Sequence, residues 1–206
     1  MPTSPAHSPL PFTPPNPLRT ARLDLRPVTD DDFAAIHAYQ RLPEVCRYLY
    51  WGPLDEAGSR DSVAKKTART TLRTEGDVLQ LAVVVRETGT LVGDVTFVWT
   101  SAAHRQASIG YVFHPAHHGH GYATEASRAL LALGFDHLRL HRIQAELDGR
   151  NTASAALLER LGMRREAHHV ENEFLDGEWT DEVVYAMLAR EWEALRAPAP
   201  EAAPRV

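Results

Sequence analysis

A mixed α/β (α+β) fold is the class this chain predicts, and three observations carry it. Runs with strand-like alternation lie at residues 22–27 and across 79–113, segments of helical character stand before and after them, and their order is not a regular strand–helix repeat. The 206 residues, 44% hydrophobic and 24% charged, suffice for one domain with a full core.

Residues 1–18 carry proline at 2, 5, 9, 11, 14, 15 and 17, too broken for helix or sheet interior, and are expected to form a disordered tail. Residues 197–206 have the same character, which leaves 19–196 as the folded domain. Within it, RLDLRP (22–27) alternates with Leu23 and Leu25 on one face, a first strand. Thr29 and the acidic run Asp30, Asp31, Asp32 offer an N-cap for a helix through Phe33 and Ile36, which Pro43 closes. Residues 55–74 read as a weakly amphipathic helix stopped at Gly76.

The period changes at Leu79. LQLAVVVR and TLVGDVTFVW flank Glu87-Thr88-Gly89, and ASIGYVF follows a polar turn, which predicts a meander of three antiparallel strands. HPAHHGHG then leads into a helix from Tyr122 to about residue 137 and a strand HRIQAEL. A second helix is opened by Asn151 and stopped by Gly162, and two strands from Val170 surround the turn Asp176-Gly177.

Composition excludes several function classes. The net charge of −5 argues against a general grip on nucleic-acid backbone. Of the 22 basic residues only Lys65 and Lys66 are lysines. A single cysteine, Cys46, leaves no internal disulfide and no CxxC zinc or redox site, and reads as a small buried hydrophobe. No stretch approaches the ~20 continuous apolar residues of a membrane helix, and the N-terminus is not a secretory signal. A cytoplasmic protein, with no membrane partner, is expected.

The chemistry concentrates at residues 111–126, YVFHPAHHGHGYATEA, where a strand gives way to a glycine-bearing loop and then a helix. Gly119 and Gly121 permit a tight turn and close approach of a ligand, and the first N–H groups of the helix suit an anion, most often phosphate. A plain connector would look the same, so the loop alone leaves both readings open. It is not a P-loop, which needs GxxxxGK[ST], nor a dinucleotide fingerprint, because Thr124 stands where a third glycine belongs. Asn151, with Ser154 one turn on, fits a capped amphipathic helix with Leu157, Leu158 and Leu161 inward, which explains most of the pattern and leaves a ligand contact open.

Taken together these segments resemble the GNAT superfamily of acetyl-CoA-dependent N-acetyltransferases, in its RimJ/RimL-type branch. TARLDLRPVTDDDFAAI, PEVCRYLYWGP, IGYVFHPAHHGHGYATEA, NTASAALLERLGMRREA and DGEWTDEVVYAMLAREW follow that branch in order over residues 19–193. The resemblance implies a central mixed, mostly antiparallel sheet flanked by helices and splayed between the family's fourth and fifth strands. The family's loop pattern [QR]xxGx[GA] falls on residues 118–123, with His118 departing from Gln or Arg. By resemblance, Gly119, His120, Gly121, Tyr122, Ala123 and Thr124 would cradle the CoA pyrophosphate. Val112, Phe113 and His114 would pair with the pantetheine arm, Asn151 would bond to it, and Ser154 would lie near the sulfur. Trp51 would line the acceptor pocket.

The implied reaction is attack of a neutral amine on the acetyl thioester, the acceptor being a protein N-terminus or a small molecule. An N–H at Val112 or Phe113 would meet the oxyanion, and Ser154, with Tyr122 as second candidate, would assist the departing thiolate. Many relatives carry an acidic residue just before IGY, where this chain has Ser108. Glu146, Glu171, Glu173 and His169 are the other base candidates. Ser108 keeps open an alternative, a CoA-binding module without turnover. A serine hydrolase built on Ser154 lacks a GxSxG elbow. His114, His117, His118 and His120 lie within seven residues, but their spacing does not suit a metal, so none is expected; His118 or His120 would instead bind the pyrophosphate more tightly when protonated. A homodimer is compatible with the resemblance. Trp99, Trp179 and Trp192 read as packing residues.

Overall fold

Strict alternation along the strands sorts side chains to two faces. In the computed structural model, which describes residues 10–196 apart from residue 176, the run Val78–Val85 is strand β3, with Leu79, Leu81 and Val83 buried on one side and Gln80 and Ala82 on the other. The chain order is β1 (Leu18–Arg19), β2 (Leu23–Pro27), α1 (Phe33–Gln40), α2 (Pro43–Cys46), α3 (Glu56–Thr67), β3, β4 (Leu91–Ser101) and β5 (Gln106–Phe113). Then come α4 (Tyr122–Ala132), β6 (Arg142–Asp148), α5 (Thr152–Arg160), β7 (Arg164–Leu175), β8 (Glu178–Leu188) and α6 (Ala189–Arg196).

The strands form one eight-stranded sheet in the order β1-β2-β3-β4-β5-β6-β8-β7, antiparallel throughout except for β5 against β6. This is the mixed, mostly antiparallel sheet the resemblance implies, with the meander read from the sequence at β3–β5. Its larger core joins Leu130, Leu131 and Leu133 to Phe97, Trp99 and Ile143, with Leu157, Leu158, Leu161 and Trp192 included. The smaller core, on the opposite face, packs Val28, Ile36, Tyr39 and Val63 against Ala82. Each fully buried leucine or isoleucine contributes about 1.5–3 kcal/mol of transfer free energy. The start of α1 is pinned as the sequence suggests. Asp32 accepts from the Thr29 N–H at 2.8 Å and takes the Arg26 guanidinium on both oxygens at 2.7 Å.

Several boundaries differ from the sequence reading. The disordered tail was expected to reach residue 18, yet Phe12 pairs with Leu72 through main-chain hydrogen bonds of 2.8 and 2.9 Å, and Leu10, Phe12 and Leu18 pack on the core. Residues 1–9 and 197–206 lie outside the described residues, as does Asp176 of the expected final turn. Helix α3 stops at Thr67, because the following segment is drawn into the pairing with Phe12, and Gly76 belongs to a later turn. Pro43 does more than end α1: it starts α2, where its missing N–H costs nothing. The last hairpin begins at Arg164 rather than Val170, and a further amphipathic helix, α6, buries Trp192 behind it.

Candidate active site

The site originates in a gap between two strands. β5 and β6 pair only at Gln106–Arg142, Ala107–Ile143 and Ser108–Gln144. Beyond Ser108, β5 keeps its ladder to β4 as far as Phe113 while its other edge opens. This is the splay expected between the family's fourth and fifth strands, displaced by one in number because the short β1 precedes them.

Register decides which amides face the gap. The His114 N–H donates to Val92 O at 2.9 Å, and hydrogen-bonded pairs recur every second residue in an antiparallel ladder. Val112, opposite Asp94, is therefore committed to β4, and Tyr111 and Phe113 turn their N–H and C=O groups toward the opening. The expectation that Val112 supplies the oxyanion N–H is corrected on this ground: Phe113, or Tyr111, holds the free amide. Gly93 makes the close β4–β5 approach possible, since a Cβ there would lie 2.9 Å from Phe113 Cα.

At the end of the opening, Gly119 (φ +80°) and Gly121 (φ +76°) turn the loop into α4. No side chain caps α4, and among the described residues the N–H groups of Tyr122, Ala123 and Thr124 have no acceptor; Glu125 is the first to bond back, to Gly121 O at 3.0 Å. Amides without partners at the positive end of a helix fit a diphosphate. The loop is anchored from the turn between β1 and β2: Glu125 accepts from the Arg22 N–H at 2.8 Å, from Arg22 Nε at 2.7 Å and from Thr20 Oγ1 at 2.5 Å, and Arg22 Nη1 donates to His120 O at 2.9 Å. Burial would raise the Glu125 carboxyl, but these bonds from Thr20 and Arg22 outweigh it and hold the group below its ordinary value.

These elements enclose a cleft of about 650 Å³. Val112, Phe113, His118 and Gly119 line it, as do Gly121, Tyr122, Ala123 and Thr124, with Asn151 and Ser154 on the facing helix. Two expected residues do not. His114 folds back to accept the Ala116 N–H at 3.1 Å, and His120 turns its ring to the His118 carbonyl at 2.9 Å and stacks on Tyr122. Tyr122 is held between that ring and the Arg22 guanidinium, 5.0 Å from its centroid, which suits a packing role. His117, weighed in the sequence only as one of four histidines for a metal, does line the cleft.

Asn151 Oδ1 caps α5 by accepting the Ser154 N–H at 3.1 Å, while its amide nitrogen makes no hydrogen bond among the described residues. The cap and the ligand contact are thus compatible. Ser154 Oγ lies 2.6 Å from the Tyr111 hydroxyl, whose pKa burial pushes up to about 12, so that it stays protonated. Tyr111 was missed in the sequence because its partner is far along the chain. The Arg160 guanidinium at the end of α5, without an ion-pair partner among the described residues, also borders the cleft.

On the other face of β5, Trp51 lines a second cavity of about 260 Å³, and Val112 is a wall of both. The pair Ser108–Gln144 fixes parity, so Glu146 shares the face of Ser108, Gly110 and Val112. Glu182, opposite Asp148 on β8, lies on the same side; its carboxyl is raised by burial first and then by Glu146 and Glu173. Tyr50, beside the same carboxylates, is pushed up to about 12, chiefly by burial. Of the base candidates, Glu146 and Glu173 belong to this group, and His169 stands opposite Glu182. Glu171 instead gives its N–H to Asp181 at 2.9 Å on the exposed hairpin. Cys46 is buried, as expected. Among the described residues no three His, Cys, Asp or Glu side chains are grouped to hold a metal, and no helix is long and apolar enough to cross a membrane.

An open strand edge leading to an uncapped helix start has the geometry that suits an extended ligand ending in phosphates. The comparisons narrow this class to one family. Residues 22–164 match the family described as acetyltransferase (GNAT) domain, and the chain belongs to it. It is 32% identical over 176 residues to the Bacillus subtilis (strain 168) protein called uncharacterized N-acetyltransferase YnaD, covering 85% of this chain and 98% of that one. A crystal structure of a GNAT-family acetyltransferase from Bacillus anthracis superposes with a TM-score of 0.75 at 31% identity, over 84% of this chain and 98% of the other. Spermidine N-acetyltransferase from Vibrio cholerae, solved with CoA and spermine, shares the fold with a TM-score of 0.72 at 22% identity, over 84% and 99%. The protein is an acetyltransferase of the GNAT family, whose members use acetyl-CoA.

Proposed function

We propose that this chain moves the acetyl group of acetyl-CoA directly to a primary amine, a protein N-terminal α-amine or a small-molecule amine, as a member of the RimJ/RimL-type branch. One observation carries the reading: the free edge of β5 runs into the unpartnered N–H groups of Tyr122, Ala123 and Thr124 inside one cleft. The residues fit the coenzyme. The α4 start would hold its diphosphate, the edge at Tyr111–Phe113 and the Asn151 amide its pantetheine, and the thioester would lie between Phe113 and Ser154.

In this reading the Phe113 N–H stabilises the oxyanion, and Ser154, backed by the Tyr111 hydroxyl, donates to the departing thiolate. A thiol of pKa about 8.5 leaves readily, so one hydroxyl is enough. Glu146 and Glu182, facing the acceptor side, take up the amine proton through water. Uptake through water, with no base in contact with the amine, favours an acceptor of low pKa: at pH 7 an α-amine of pKa about 8 is roughly one-tenth neutral, and a lysine amine near 10.4 about one in 2,500.

Thiol release from acetyl-CoA against peptides, amino acids, polyamines and aminoglycosides tests this. Turnover is expected with α-amines, at kcat/KM well above that of matched lysine side chains. Coenzyme binding without thiol release for any amine would overturn it.

A further inference from the structure

The second cavity carries a charge pattern that the transfer reaction alone does not require. Asp94 in its wall is fully answered: Lys66 Nζ lies 2.8 Å away, Gln80 donates at 2.5 Å, and the Tyr39 hydroxyl donates as well. That leaves the other two cations of the wall, Lys65 and Arg69, without an anionic partner among the described residues. Both lysines of the whole chain, in which arginine otherwise serves, line this one cavity. Gln40 supplies a second, independent sign of a ligand. It is 2% exposed, its amide nitrogen donates to Ser62 Oγ at 2.9 Å, and its Oε1 is buried with no hydrogen-bond partner. A buried acceptor left unpaired costs about 1–3 kcal/mol, which a donor on a bound molecule would offset.

Resting on the acetyl-transfer reading, we infer that this cavity selects the acceptor: a small amine that also bears a carboxylate, seated with its anion at Lys65 and Arg69. Val112 separates the cavity from the coenzyme cleft, so an amine reaching past it arrives at the thioester. The carboxylates Glu146 and Glu182 on the same face of the sheet suit the ammonium end of such a zwitterion, and the two cations suit the other. A polyamine or a basic peptide has nothing to offer Lys65 and Arg69. The positive position of Lys65 near the end of α3 is also favoured by the helix dipole, but that accounts for neither Arg69 beyond the helix nor the orphaned Gln40 oxygen.

The test compares an acid with its amide. The CoA-loaded protein is titrated calorimetrically with N-acetylglycine, N-acetyl-β-alanine and N-acetyl-L-alanine and with the amide of each, in the wild type and in Lys65→Gln/Arg69→Gln. Both replaced side chains are exposed, so folding should survive, and an unchanged CoA affinity checks it. At least one acid is expected to bind about tenfold more tightly than its amide, a preference that weakens with salt and falls below about threefold in the double variant. Equal affinities in the wild type, no binding of any pair, or a preference that persists in the variant would each overturn the inference. If an acid binds selectively yet no amine of any class releases thiol, the transfer reading fails and the anion site stands; if other amines release thiol and no free amino acid does, the acceptor inference fails.

Discussion

The hydroxyls of Tyr111 and Ser154 lie 2.6 Å apart, joining strand β5 to the first turn of α5 across the coenzyme cleft. With the Tyr111 pKa pushed up to about 12, the tyrosine keeps its proton through the whole working range, and in the proposed reaction the pair acts as one donor. Ser154→Ala should lower kcat by roughly ten- to a hundredfold, the modest end for loss of an acid, because the thiolate leaves easily. Tyr111→Phe should lower kcat by less, with little change in CoA affinity. The double variant should be no slower than Ser154→Ala, since groups that act as a unit are not additive. Steady-state rates with calorimetric CoA binding check this; multiplicative losses would show that the two hydroxyls work separately.

Glu125 ties the start of α4 to the turn between β1 and β2, and its depressed pKa gives that tie a pH signature. A carboxyl with a folded pKa below its ordinary 4.5 contributes stability that is full above that value and lost as pH falls through the folded one. Glu125→Gln should therefore destabilise the protein by about 1–2 kcal/mol at pH 7, and the gap to wild type should close as pH falls below the ordinary carboxyl value and through the folded one. CoA affinity should also fall, as Arg22 loses its hold on the loop. Denaturant unfolding across pH settles it, and a gap of constant size would contradict the assignment.

How much of this was legible in the sequence follows from where the information resides. The meander of β3, β4 and β5 shows itself because β-branched alternation is local, and the start of α4 because Gly119 and Gly121 precede an amphipathic run. The free amide at Phe113 rather than Val112 was not legible, since parity is set by the pairing of β5 with β4 and not by the sequence of β5. Tyr111–Ser154 and Phe12–Leu72 join distant segments, and no spacing announces either contact. The end of α3 was misplaced for the same reason. Its apolar pattern is weak, and the Phe12 pairing, not a cap, claims the residues that follow.

His117 is expected to give the proposed coenzyme site a pH response. His117 lines the cleft, and its imidazole is held below its ordinary value of 6.5, by burial first and then by His114, His120 and His118. It is neutral at pH 7 and gains its charge only as pH falls below 6.5; an adjacent diphosphate favours that charge. CoA affinity should thus rise roughly fivefold between pH 7.5 and 5.5, and His117→Asn should flatten most of the rise. Calorimetry at both pH values, with His118→Gln in parallel, tells whether one ring or both respond. A slope untouched by either substitution would remove the histidines from coenzyme binding.

Gly93 and Gly134 separate a backbone constraint from a side-chain one. A Cβ on Gly93 would press into the Val112 carbonyl and lie 2.9 Å from Phe113 Cα, so β4 and β5 themselves must part. At Gly134 the first obstacle is the end of the Ile143 side chain, which can turn aside, with Phe97 and Leu140 at 3.2 and 3.3 Å. Gly93→Ala should cost about 2–3 kcal/mol and Gly134→Ala about 1 kcal/mol, within the usual range for overpacking. The site adds a second difference. Pushing β5 away from β4 displaces the Phe113 amide, so Gly93→Ala should depress kcat beyond its effect on CoA affinity, whereas Gly134→Ala should leave the kinetics of the folded fraction unchanged. Unfolding curves and single-turnover rates on both variants give the comparison. Equal losses of kcat would mean that the Phe113 amide is not where the oxyanion forms.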